Sequence, residues 1–335
     1  MPAVDEAPES LRRRKALGYL LAVESGLAFA AEVAVRQTGA QLWLTHFGGD
    51  TVAMALSRGR LMPLINVLSF CVTPVLGGLS DTIGRKPIMA LGVAFQLCAF
   101  LAVLLADGAV AGLYTYELLV RLNQVSRGLS NRAAIGDLFA GDPALYASFT
   151  ALKELMTPAM KMVVPMAAGL LARRSVRLPF QLALVLAAIN GVLCVTMEEP
   201  LAAADRKPFS LASSVNPLGA LELFRRGRRM SVCATMHVID AVSESCAGPS
   251  PAEQLCELHR IEVLRWDAFQ RGRWESVNSL FRTMGFVFTS GSLALPKLLG
   301  IRRALDTTLL AYIAQAVWLC FAKSSSWQFF ATLPF

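Results

Sequence analysis

The side chains best placed to do chemistry in this 335-residue chain are charged or amide residues set inside apolar runs. Glu24 lies in the run 16–35, with Glu32 nearer its end. Glu117 and Arg121 stand four residues apart in the run 109–135. Lys161 falls between Pro158 and Pro165 in the run 146–171, and Asn66, Asn190 and Arg282 interrupt three others. A charge at the centre of a bilayer costs about 2.5–3.5 kcal/mol on insertion scales, so each such residue calls for a partner or a task. A carboxylate placed as Glu24 is can bind and release a proton. The alternatives are that it snorkels or pairs with Lys or Arg from another helix. The i,i+4 spacing puts Glu117 and Arg121 on one helix face, where mutual pairing is the favoured reading and lining of a cavity the other. Prolines kink helices, and kinked helices border cavities. Lys161 is therefore the first candidate to contact an anionic or polar solute, followed by Asn66, Asn190 and Arg282. Glu32 is expected near the membrane interface.

A second group of residues forms a compact hairpin at 77–87, Gly-Gly-Leu-Ser-Asp-Thr-Ile-Gly-Arg-Lys-Pro. Gly84 can take the positive φ of a very short turn. Gly77 and Gly78 would let a neighbouring helix approach closely. Asp81 is expected to pair with Arg85 or Lys86, or to sit at a helix N-terminus, whose partial positive charge favours anions. Charges so placed can form and break as two helical bundles rock, which makes Gly77, Gly78, Asp81, Gly84, Arg85 and Lys86 a candidate gating loop.

Composition says what must position these groups. The chain is 55% hydrophobic and 17% charged, with a mean hydropathy of +0.50, against about 45–50% and 25% for soluble domains. The sequence predicts an all-α membrane protein. Uncharged or nearly uncharged spans are expected at 62–79, 88–106 and 178–197, with a first span at 16–35. The charge-bearing runs 109–135 and 146–171 are expected to face a cavity. Residues 1–15 form a polar tail, 16–199 a six-helix bundle, 200–229 a linker, and 230–335 a partial second bundle with spans near 230–242, 276–299, 307–321 and 327–335. The formal charge of +8 is a matter of topology and gives no reason to expect nucleic acid. Arg12–Lys15, Arg85/Lys86, Arg127/Arg132, Arg225–Arg229 and Arg302/Arg303 fall on one side, the cytoplasmic one by the positive-inside rule. Arg58/Arg60, Arg173/Arg174/Arg177 and Arg271/Arg273 fall opposite.

The seven cysteines make no CxxC pair and are expected as buried, inert thiols, a Cys246–Cys256 bridge being the alternative. Three scattered histidines form no metal site. No glycine-rich phosphate loop precedes a lysine, and no nucleophile–histidine pattern is present. The expectation is no enzyme, no cofactor and no metal.

The hairpin closely resembles the loop signature of the major facilitator superfamily, G-x-x-x-D-R-x-G-R-[RK], with Gly77, Asp81, Gly84, Arg85 and Lys86 in register and Thr82 departing from it. Gly136-Asp137-Leu138 with Asp142 and Ser148 is similar to the turn after the family's fourth helix. Residues 165–169, Pro-Met-Ala-Ala-Gly, are similar to the fifth-helix motif G-P-x-x-G-G of antiporters, with Val164 and Ala168 replacing glycines. Met197-Glu198-Glu199-Pro200 resembles the sixth-helix end, and Asn216-Pro217-Leu218 with Phe224-Arg225-Arg226 the linker of the tetracycline-resistance and hippocampus-abundant-transcript-like branches. Leu295–Arg303 echoes the hairpin without its acid.

The resemblance implies two six-helix halves and secondary active transport of a small solute by alternating access. Proton coupling through Glu24 would match the acidic residue that relatives carry in the first helix, and antiport is slightly favoured. Its partners would be the solute, protons and the lipid bilayer. Two rival expectations are a membrane sensor that kept the fold and lost transport, and a carrier lacking its last two helices. In the family the hairpin packs against the eleventh of these.

Overall fold

The computed structural model describes residues 8–106, 109–209, 227–228, 230–232, 235, 265–290 and 310. Seven long helices carry the described part of the chain: α1 (Pro8–His46), α2 (Thr51–Ile83), α3 (Arg85–Leu105), α4 (Val110–Phe139), α5 (Pro143–Arg174), α6 (Leu178–Thr196) and α7 (Ala268–Ser290). Five of them, α1, α2, α3, α5 and α6, are long and apolar enough to cross a membrane. Helix α4 is as long, but it carries Glu117, Arg121, Arg127, Arg132 and Asp137.

The helix starts follow from local chemistry. Asp50 accepts from the backbone N–H of Val52 and Ala53, both at 2.9 Å, and caps α2. Asp142 does the same for α5 through Ala144 and Leu145 at 3.0 Å, with Pro143 in the first turn. A side-chain acceptor at this position satisfies donors that the helix itself leaves open. Gly48 and Gly49, at φ 62° and 88°, turn α1 into α2.

Several expected boundaries move. Helix α1 is continuous from Pro8, so much of the expected polar tail at 1–15 is helical. The span expected at 276–299 lies in a helix that starts at Ala268, so Arg271 and Arg273, expected in a loop, stand inside its first turns. Thiols expected inside the protein divide: Cys194 is buried, whereas Cys71 and Cys98 point outward from the bundle. The spans near 307–321 and 327–335, the loop Leu295–Arg303 and the paired Cys246 and Cys256 lie outside the described residues, as does almost all of 230–242.

The first six helices pack around two apolar clusters. One is built on Leu17, Leu21, Met89, Val93, Ile135, Phe139, Phe149 and Cys194. The other is built on Val35, Trp43, Phe100, Leu113, Phe180 and Ala187. On α1, α3, α4 and α6 alike, a buried polar residue separates them: Glu24, Gln96, Asn123 through Asn131, and Asn190. The bundle thus contains a polar layer between two apolar ones. Its outer surface is apolar, with Leu64, Val67 and Phe70 of α2 and Val185, Val192 and Val195 of α6 exposed, as a lipid-facing surface requires.

Helices α3 and α4 meet where α3 has no side chain. A Cβ on Gly92 would lie 2.8 Å from Ser126 Oγ and 3.2 Å from the Arg127 backbone nitrogen. A Cβ on Gly77 would meet Leu129 Cδ2 at an ordinary 3.5 Å. The close approach expected at Gly77 is therefore made by Gly92. Gly92→Ala should destabilise the detergent-purified protein by about 1–3 kcal/mol, the usual cost of overpacking, while Gly77→Ala leaves its melting temperature unchanged. Equal melting temperatures for the two variants would refute this packing.

Candidate functional site

The polar layer centres on Glu24, which is fully buried in α1. Its Oε2 accepts from Asn131 Nδ2 of α4 at 2.7 Å, and its Oε1 from Asn190 Nδ2 of α6 at a long 3.4 Å. Asn131 Nδ2 also donates to the Leu21 carbonyl at 2.9 Å. The Arg127 guanidinium stands 3.6 Å from Glu24 Oε2, and Lys153 of α5 and the Cys194 thiol of α6 lie within its electrostatic reach. Two turns further along α1, Glu32 accepts from Asn123 Nδ2 and Gln124 Nε2, both at 3.0 Å. It is bonded within the bundle, not merely interfacial. Gln96 Nε2 of α3 closes the layer on the Ala28 carbonyl at 2.8 Å. The carbonyl oxygens of the Asn131, Asn190, Asn123 and Gln96 side chains have no hydrogen-bond partner among the described residues.

The hairpin forms a second site at one end of the bundle. Gly84 has φ 113° and ψ 167°, backbone that a side chain would strain. The Arg85 guanidinium reaches three acceptors: the Asp81 carboxylate, Asp137 of α4 at 2.8 Å and Ser80 Oγ at 3.1 Å. Asp81 thus pairs with Arg85, while the N-terminus of α3 is taken by Glu199. Glu199 accepts from the backbone N–H of Arg85 at 2.7 Å, of Lys86 at 3.1 Å and of Leu201 at 3.1 Å. Arg13 of α1 pairs with Glu198 at 2.6 Å. The described start of the expected linker is bound here too, since the Lys207 N–H donates to the Asp81 carbonyl at 3.0 Å.

No family model matches the chain. It is 25% identical over 279 residues to the class C tetracycline resistance protein of Escherichia coli, a match covering 83% of this chain and 67% of that one. Its fold is similar to the crystal structure of the human organic anion transporter MFSD10, with a TM-score of 0.73 and 16% identity over 98% of this chain and 82% of that one. This chain has the fold of a major facilitator superfamily transporter. With five helices long and apolar enough to cross a membrane, it is an integral, multi-pass membrane protein, similar to secondary transporters of small solutes.

At the end of this bundle opposite the hairpin, α5 packs closely against α7. Gly169 of α5 and Gly272 of α7 each face backbone of the other helix: a Cβ on Gly169 would fall 2.7 Å from Phe269 Cα, and one on Gly272 2.8 Å from the Pro165 carbonyl carbon. Arg173 pairs with Asp267 at 2.9 Å and lies over the Phe269 ring at 4.2 Å. Arg36 of α1 reaches Glu275 of α7 at 3.6 Å.

The remaining candidates are dispersed. The mutual pairing favoured for Glu117 and Arg121 does not form. Glu117 is paired with Arg58 of α2 at 2.8 Å, and Arg121 donates to Gln124 at 3.2 Å, because a cation from a facing helix outcompetes the i+4 neighbour. Lys161 stands over the Phe29 ring at 5.5 Å. Asn66 is exposed on α2. Arg282 is carried on α7, its side chain outside the described residues. Asn190 alone of these joins Glu24. A depression of about 500 Å³ lined by Phe47, Ser57, Arg60, Leu64 and Tyr114 lies at the far end of α2, away from the polar layer. Arg127, Asn131, Lys153 and Glu199 were not anticipated as site residues. Asn123, Arg127 and Asn131 share a four-residue spacing, a polar stripe on one face of α4, and that was the readable signal.

Glu199→Ala leaves three N–H donors at the hairpin without their acceptor. The expected loss is about 1–2 kcal/mol of stability, as for other helix N-caps, with Glu199→Gln retaining part of it. A Glu199→Ala protein that melts like the wild type would remove the cap from this account.

Proposed function

We propose that this transporter couples solute movement to protons, with Glu24 as the carboxylate that takes up and gives up the proton. The hairpin would face the cytoplasm. What carries the reading is the setting of Glu24: complete burial, two amide donors on its oxygens, and amide oxygens beside it that have no partner.

Each protonation state has an answer in this setting. Ionised, Glu24 accepts from Asn131 and Asn190 and attracts Arg127. Protonated, it becomes a donor, and rotation of the Asn190 amide by 180° presents an oxygen where a nitrogen stood. Amide orientation is itself assigned from such patterns, so both orientations fit the same heavy atoms. The charged and titratable groups around Glu24 are Arg127 from α4, Lys153 from α5 and Cys194 from α6. Protonation removes one of the two negative charges that Arg127 faces, Glu32 being the other, and a buried guanidinium that loses its nearer counter-ion favours rearrangement. Arg127 lies on the same helix as Asp137, the partner of Arg85, so a shift of α4 is felt at the hairpin. That is a two-state element biased by one proton.

Proteoliposomes carrying an imposed pH gradient test this with a panel of labelled solutes, tetracycline and simple organic anions among them. The wild type should move at least one solute faster with the gradient than without it. Glu24→Gln should lose that acceleration while still exchanging the solute across the membrane at equal pH. A Glu24→Gln protein that responds to the gradient as the wild type does would exclude Glu24 from coupling.

A further inference from the structure

Within the polar layer two cations lack the acceptors that buried cations need. Arg127 and Lys153 each expose 8% of their surface. Arg127 makes no hydrogen bond among the described residues: its contact with Glu24 is an ion pair at 3.6 Å, and its Nε is buried without a partner. Other arginines of the bundle with a buried Nε are anchored elsewhere, Arg14 on the Leu138 carbonyl, Arg58 on Glu117 and Arg121 on Gln124. Glu32 also lies within reach of Arg127, but both its oxygens are occupied by Asn123 and Gln124. Among the described residues Lys153 has one ion-pair partner, Glu154 at 3.7 Å, a carboxylate half exposed on the same helix, with Glu24 further off. Arg127, Lys153 and the exposed Arg132 are near enough for their charges to interact. Like charges are thus gathered between α4 and α5, at a cost that the Glu24 and Glu32 carboxylates offset only in part, since neither forms a hydrogen bond to either cation among the described residues.

A guanidinium offers five donors in a planar fork and an ammonium three, and neither can accept. A carboxylate or phosphate fills both, through charge-assisted hydrogen bonds that are strongest where water is excluded. We propose that Arg127 and Lys153 form a subsite for the anionic group of a transported organic anion, with Arg132 marking its approach from the hairpin end. The assignment rests on the transport reading above and names its substrate class. Glu24 competes with the anion for Arg127. Its protonation frees the guanidinium for the solute, and arrival of the solute weakens the hold on the Glu24 charge.

Binding can be read without any gradient. Purified protein in a non-ionic detergent free of anionic lipid is titrated with benzoate, succinate and inorganic phosphate, and melting temperature is followed against choline chloride at equal ionic strength. At least one anion should stabilise the wild type saturably. Arg127→Gln and Lys153→Gln should each weaken its binding about tenfold or more, the loss expected for a charge-assisted hydrogen bond, while Lys153→Arg retains it. Glu24→Gln should bind the anion more tightly than the wild type, which a purely structural Arg127 would not produce. If Arg127→Gln alone fails to fold, the double variant Glu24→Gln/Arg127→Gln, which removes both charges of the pair, takes its place and should bind no anion.

No stabilisation beyond the salt control, or equal stabilisation of Lys153→Gln, overturns the proposal and leaves a hydrated layer. Stabilisation of the wild type by phosphatidylglycerol micelles, lost in Arg127→Gln and not given by soluble anions, overturns it in favour of a lipid headgroup. Failure of anion binding with gradient-driven transport intact rejects the substrate class and leaves the transport reading. Anion binding with no effect of Glu24→Gln on coupling rejects only the latter.

Discussion

Helices α1 and α4 run antiparallel, and the two carboxylates of α1 meet the amides of α4 in one register: Glu24 with Asn131, and eight residues on, Glu32 with Asn123. Eight residues back along α4 answer eight residues forward along α1. Between two apolar clusters a carboxylate without donors is costly, so this register is what allows the acids to exist where they do. Any slide of α1 against α4 strips both carboxylates of their donors together. The seam therefore has discrete arrangements, and a change at one acid must be met by the whole helix.

Helix α4 connects this seam to the ends of the bundle. Along it stand Glu117, paired with Arg58 near the start of α2; Arg127 and Asn131 in the polar layer; Ser130, within 3.3 Å of Ser80; and Asp137, bonded to Arg85. A helix that carries so many committed polar groups cannot also be uniformly apolar, which is why it falls short of the composition of a lipid-exposed span. The hairpin gains its rigidity from the same economy of donors and acceptors. Arg85 binds three side chains at its guanidinium end, and its backbone N–H is held by Glu199, so the turn at Gly84 is gripped from both sides. At the opposite end α5 and α7 approach until glycine is the residue that fits.

Much of this was legible in the sequence because the strongest signals are local. Apolar runs mark the spans, Gly84 marks a turn that needs positive φ, and Glu24 and Asn190 are conspicuous as polar residues in apolar surroundings. The misses have a common cause, which is competition between helices. An i,i+4 spacing says that Glu117 and Arg121 are neighbours, but not that Arg58 on another helix makes the better partner. Glu199 reads as the end of a helix, and only the fold brings it to the start of another 114 residues away. Gly92 sits unremarked in an apolar run, because a close helix crossing depends on the facing residues, here Ser126 and Arg127. Lys153 lies in a run expected to face a cavity, and only the fold brings it beside Arg127 and Arg132 of α4.

The central claim is that Glu24 changes its protonation inside the bundle. Infrared difference spectroscopy of the protein in nanodiscs, stepped between acid and alkaline buffer, observes this directly. The account predicts a carboxylic acid C=O band in the high-frequency range of a dry environment, appearing at acid pH in the wild type and missing in Glu24→Gln. A spectrum in which the variant keeps every titrating carboxyl band of the wild type would contradict it.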